Sequence, residues 1–109
     1  MTGYKNIEKE VIMELKDQVE YQEGQVVSKT LVQNEAVSVT LFAFESQEEI
    51  STHASGGDAM VTVLEGKGRF TIDGKEYVLS TGETIIMPAG KPHAVFALER
   101  FKMLLNVVF

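Results

Sequence analysis

The chain has 109 residues, no cysteine, and sixteen acidic against ten basic side chains, a formal net charge of −6. That length suits one core and not two. The acidic balance argues against binding to nucleic-acid phosphates or an anionic membrane surface, and the missing thiols exclude disulfides, thiolate metal sites and a cysteine nucleophile. Hydrophobic residues at 44% and charged residues at 24% give a globular composition. The N-terminal stretch "MTGYKNIEKEVIMELKDQVE" is charged throughout, unlike a signal peptide. No apolar run approaches the roughly 20 residues that span a bilayer. The expectation is a cytoplasmic protein with neither nucleic acid nor membrane as a partner.

Residues 1–24 read as an N-terminal extension that packs on a domain formed by residues 25–109. Ile7, Val11, Leu15 and Val19 recur at helical spacing, yet "VIMEL" has the composition of a strand. A short strand followed by a turn of helix near Lys16–Glu20 is expected. From Gln25 the pattern is β. "QVVSKTLVQ" and "AVSVTLFAFE" flank a turn at "NE". In the second run Val37, Val39, Leu41 and Ala43 share one face and Ser38, Thr40, Phe42 and Phe44 the other, so both faces are partly apolar. Glu45, Glu48 and Glu49 read as a solvated loop.

"AMVTVLEGKGRFTIDGKEYVLSTGETIIMP" holds four further strands divided by glycines. Asp73-Gly74 is a two-residue hairpin signal, because both residues tolerate the positive φ that such turns require. Pro88 and Pro92 bracket "AGK", a loop that cannot be regular strand. "HAVFAL" and "KMLLNVVF" complete the chain as strands. The internal methionines read as core filler, with Met87 placed to line a barrel mouth. Many short strands with frequent turns and almost no helix indicate a sandwich or barrel. This pattern does not separate a jelly roll from an immunoglobulin-like sandwich or a lipocalin-like barrel.

The spacing of glycine, proline and histidine adds a resemblance. Gly82, "ETIIM", Pro88, Ala89, Gly90, two residues and then His93 resembles the second sequence motif of the cupins, with Ala97 where that family often has Asn. The stretch from His53 to Gly66 resembles their first motif. The resemblance implies an all-β fold, a jelly-roll barrel of the double-stranded β-helix type. It also implies a homodimer, for which the two-faced apolar strand at Val37–Phe44 is a candidate interface. In metal-binding cupins two His and a Glu of the first motif join the His of the second around one ion. The corresponding positions here are His53, Ser55, Ala59 and His93, of which only the two histidines have metal-ligating side chains. Asp58 is the nearest substitute, and a bulge in "SGGDAM" would be needed to turn it inward. His53, Asp58 and His93 would then form the two-His-one-carboxylate set of many iron(II) oxygenases.

Three functions are therefore carried forward. The first is small-molecule binding in the barrel, with His53, Ser55, Met87 and His93 as ligand-facing residues. The second is a metal-dependent dioxygenase or isomerase (iron, manganese, nickel, copper or zinc) using His53, His93 and Asp58. The third is a structural or partner-binding barrel. Each histidine also has a plain reading as a hydrogen-bonded core residue, and Asp58 as a turn residue after two glycines.

Overall fold

The structure is a computed structural model that describes residues 3–109, so residues 1 and 2 of the expected extension lie outside it. After a single 3-10 turn at Leu15–Gln18 come nine strands. They are β1 (Val26–Gln33), β2 (Val37–Phe44), β3 (Glu49–His53), β4 (Asp58–Glu65), β5 (Lys67–Ile72), β6 (Lys75–Ser80), β7 (Thr84–Met87), β8 (His93–Ala97) and β9 (Phe101–Val108). They form a five-stranded sheet of order β1-β2-β9-β4-β7 and a four-stranded sheet of order β3-β8-β5-β6. Every pairing is antiparallel. The architecture is the jelly-roll barrel.

The core lies between the two sheets. Phe44, Val61, Val63, Phe101 and Met103 of the large sheet meet Phe70, Leu79, Val95 and Ala97 of the small one. The Phe44 and Phe101 rings stack with centroids 4.5 Å apart, and Phe70 meets Phe101 edge-on at 6.0 Å. The hairpin expected at Asp73-Gly74 is present. Both residues have positive φ, and Ile72 and Lys75 face each other across the turn. At the β1–β2 turn the Asn34 side chain accepts from the amides of Ala36 and Val37.

The alternation in β2 has an intrachain cause. Phe42 and Phe44 face the inter-sheet core, whereas Val39, Leu41 and Ala43 face outward beneath Ile7, Leu15, Val19 and Tyr21. Both faces of β2 are thus covered within one chain, and this strand is not a free surface for a second copy. The expected strand at "VIMEL" is absent. Asn6 and Glu10 both take positive φ, which breaks an extended run, and the chain becomes helical only from Leu15. The segment is instead fixed to the sheet by polar contacts. The Lys5 amide donates to the Leu31 carbonyl, Asn6 Nδ2 to the Thr30 carbonyl and Lys102 Nζ to the Lys16 carbonyl. Among the described residues no helix is long and apolar enough to cross a membrane.

Candidate functional site: a histidine pair at one end of the small sheet

His93 opens β8 and His53 closes β3, and the two are direct cross-strand partners. A bulge in β3 creates that pairing. Glu49 pairs with Phe96 and Ile50 with Val95, so an unbroken ladder would place Thr52 opposite His93. One extra residue between Ile50 and His53 shifts the register and brings His53 there instead. His93 shares the inward face of β8 with Val95 and Ala97 and is 4% exposed, while His53 is open to solvent. The rings meet edge to face, with centroids 4.4 Å apart and planes at 71°.

Their hydrogen bonds do not close. His53 Nδ1 lies 2.9 Å from the Ser51 carbonyl oxygen and His93 Nδ1 lies 3.3 Å from that of Lys91. The two Nε2 atoms are 3.2 Å apart. A carbonyl only accepts, so each of the first two contacts needs a proton on nitrogen, and the Nε2 pair needs a third. Two neutral imidazoles carry only two ring protons. The neutral pair is therefore one proton short. A third proton would complete it, but burial and the neighbouring His53 both push the His93 pKa below its ordinary value, against the opposing effect of the Lys91 carbonyl. The pair offers a lone pair to an incoming hydrogen-bond donor or Lewis acid.

The loop from Pro88 to Pro92 holds this end of the barrel. Its Ala89 amide donates to Asp58 Oδ1 at 2.9 Å, its Gly90 amide to the Ser55 carbonyl at 3.0 Å, and its Pro92 carbonyl accepts from the Asp73 amide at 2.8 Å. Gly90 has φ of +76°, which explains the glycine at this point of the motif.

The remaining candidates separate from the histidines. The β4–β9 ladder runs without a shift from Asp58 to Val63, so no bulge turns Asp58 inward. It alternates with buried Ala59, and its carboxylate caps the Ala89 amide. The Ser55 hydroxyl donates to the Gly57 carbonyl and is committed to its own turn. Met87 is 2% exposed and belongs to the core, while the neighbouring Pro88 reaches the surface groove described below. Among the described residues no group of three His, Cys, Asp or Glu side chains could hold a metal ion. Two imidazoles are fewer protein ligands than zinc or iron(II) sites generally have, so the residues present do not by themselves make a metal centre.

One feature was not visible as a motif. The row across the small sheet runs His53, His93, Ile72, Lys75, with all four on the inward side. Beyond it, in the seam where edge strands β6 and β7 of the two sheets approach, lies an open groove of about 480 Å³. Ile72, Tyr77, Ile85 and Pro88 form its apolar lining, and Lys75, Lys91 and Asp73 its charged part. Lys91 also joins the groove to the pair, since its carbonyl is the one His93 faces. The hairpin signal did contain this information, because a two-residue Asp-Gly turn forces Ile72 and Lys75 to face each other.

Residues 40–108 match the family described as "Cupin domain". The chain is also similar to several solved structures. One is a conserved protein of unknown function from Streptococcus pyogenes, 44% identical, covering 99% of this chain and 95% of that one with a TM-score of 0.96. Another is a cupin superfamily protein from Desulfitobacterium hafniense, 31% identical, covering 99% of both chains with a TM-score of 0.94. A cupin 2 conserved barrel domain protein from Leptotrichia buccalis is 44% identical over 86% of this chain but only 46% of its own length, with a TM-score of 0.85. No relative is found among curated proteins. The match over most of the chain, the two long structural likenesses and the Gly82–His93 frame lead to one conclusion: this chain belongs to the cupin superfamily.

Proposed function

We propose that the chain binds a small organic molecule at the end of its barrel, with His53 and His93 as the polar anchor and no catalytic step assigned. The observation that carries this reading is the unclosed hydrogen bonding of the pair, with three contacts that each need a proton and two ring protons to supply them. A ligand hydroxyl or amine donating to one Nε2 satisfies that lone pair at no cost in buried charge. The groove beyond the pair has the usual makeup of a small-molecule site, mostly apolar with few polar groups. A cytoplasmic setting belongs to the same reading, and the absence of cysteine is compatible with it. So does assembly as a homodimer, for which light scattering after size exclusion is the check: a monomer would discard it.

The second reading is a metal-dependent dioxygenase or isomerase. The 3.2 Å between the Nε2 atoms favours it, being a spacing suited to two nitrogen ligands of one ion. Each Nδ1 also faces a backbone carbonyl, the outer-shell partner typical of metal-bound His. Further ligands would have to come from water or substrate.

One preparation separates the two. Native mass spectrometry of the untagged protein is expected to show an organic adduct that is lost in both His53→Ala and His93→Ala. Elemental mass spectrometry of the same samples is expected to show no stoichiometric metal. Near-stoichiometric iron, manganese, nickel, copper or zinc, absent from both variants, would replace the first reading with the second.

A further inference from the structure

The groove beside the histidine pair has a charge character opposite to that of the chain. The protein carries a net charge of −6, yet the groove presents two ammonium groups, Lys75 and Lys91, against one carboxylate, Asp73. That carboxylate meets Lys91 at 3.5 Å, with both side chains more than half exposed. An ion pair so exposed is weak and easily exchanged. Lys75 has no carboxylate partner within salt-bridge distance among the described residues, and its ammonium sits 5.4 Å from the centre of the Tyr77 ring. Between the lysines, Ile72, Tyr77, Ile85 and Pro88 give an apolar surface. Its volume of about 480 Å³ falls in the range of small-molecule sites.

The groove also shares two residues with the row that carries the pair. Lys75, Ile72 and His93 occupy successive positions of one row. Two strand spacings separate the ends, about 10 Å between backbones. A molecule lying over Ile72 would reach Lys75 at one end and His93 at the other.

From this arrangement we infer that the ligand is an amphipathic carboxylate. Its anionic end is held by Lys75 and Lys91, and its apolar body lies on Ile72, Tyr77 and Ile85. The inference rests on the reading of His53 and His93 as ligand-holding groups and adds the chemical class of what they hold. A neutral ligand would leave both ammonium groups unused. A cationic one would meet them as like charges.

The test uses two near-isosteric probes, 3-phenylpropionate and 3-phenylpropionamide, titrated into the full-length protein and followed by amide and histidine-ring NMR. The carboxylate is expected to shift Ile72, Lys75, Tyr77, Ile85 and Lys91, and to bind more tightly than the amide. In Lys75→Gln/Lys91→Gln its dissociation constant is expected to rise at least about fivefold, with the amide unchanged. Both substitutions are at exposed positions, and an unchanged spectrum away from the groove verifies folding. Equal binding of the two probes, or no change in the double variant, overturns the carboxylate class. If either probe then still shifts the His53 and His93 rings, the ligand-binding reading survives without it. Absence of shifts at both groove and rings, for both probes, removes both proposals.

Discussion

Two polar clusters in this barrel follow opposite rules. On the outer face of the large sheet, Tyr21 donates to Glu65 Oε2 at 2.6 Å, and buried Lys102 lies 3.9 Å from the same oxygen. Lys102 also donates to the Lys16 carbonyl, and Arg100 binds Glu45 through two bonds of 2.6 and 2.8 Å. The Tyr21 ring lies 4.9 Å from both cations. The hydrogen bonds described for this cluster each pair a donor with an acceptor. Burial and the Glu65 hydrogen bond keep the Tyr21 phenol protonated far above its ordinary range, and Arg100 holds the Glu45 carboxyl below its own. The effect of these bonds is to fasten the N-terminal segment. At the other end of the molecule His53 and His93 share too few protons. Bonds in which every acceptor meets a donor stabilise the fold, whereas a pair that is one proton short remains available for binding.

Breaking the Tyr21 cluster should give the largest effect. Glu65→Ala leaves the Lys102 ammonium without a carboxylate and the Tyr21 hydroxyl without its acceptor. A loss of about 2–3 kcal/mol in urea unfolding is expected, less than for a fully buried pair because Glu65 is about one-third exposed. Tyr21→Phe removes a single charge-assisted hydrogen bond and should cost about 1–2 kcal/mol. A Tyr21→Phe variant as stable as the parent would deny the cluster its fastening role.

The histidine pair should behave differently. In the folded chain the His93 pKa lies below its ordinary value, so below about pH 6.5 the unfolded chain binds the proton more readily. Stability should therefore fall as pH drops from 7 through that region, and the decline should end once the folded state also protonates. Thermal unfolding between pH 7.5 and 5 measures it, and His93→Leu should flatten the slope. The smallest effect is expected for His53→Ala. Its ring is exposed, and a change within about 0.5 kcal/mol should accompany complete loss of binding at the pair. A large destabilisation would make His53 a structural residue and erase the contrast between the clusters.

The parts of the fold legible in the sequence are those where backbone geometry dictates residue type. Gly82, Pro88, Gly90 and His93 mark the loop and the first residue of β8, and Asp73-Gly74 marks a hairpin. The β2 alternation assigned the two faces correctly but not what covers them. An apolar stripe looks the same whether a second subunit or the chain's own N-terminus lies on it. "VIMEL" misled because its composition favours a strand, while positive φ at Asn6 and Glu10 interrupts the extended run that leads into it. At the site, the meeting of His53 and His93 followed from the motif. The separation of Asp58 depended on an unbroken β4 ladder, which residue identity does not encode. The lysines have no set role in a motif: Lys75 gains its meaning from its neighbour Ile72 across the hairpin, and Lys91 from where the Pro88–Pro92 loop places it.

The bulge in β3 has a consequence for how this site tolerates change. The side chain that meets His93 is chosen by whether the ladder bulges between Ile50 and the end of the strand. Substituting Ser51 or Thr52 leaves the residue count intact. Straightening the bulge with no residue lost would seat the Thr52 hydroxyl where an imidazole now stands, whereas deleting one of the two residues would return His53 to the same place on a regular ladder. Two exposed residues with no side chain in the site thus carry the irregularity that decides what this end of the barrel presents, and the conformation of the backbone there acts as the selector.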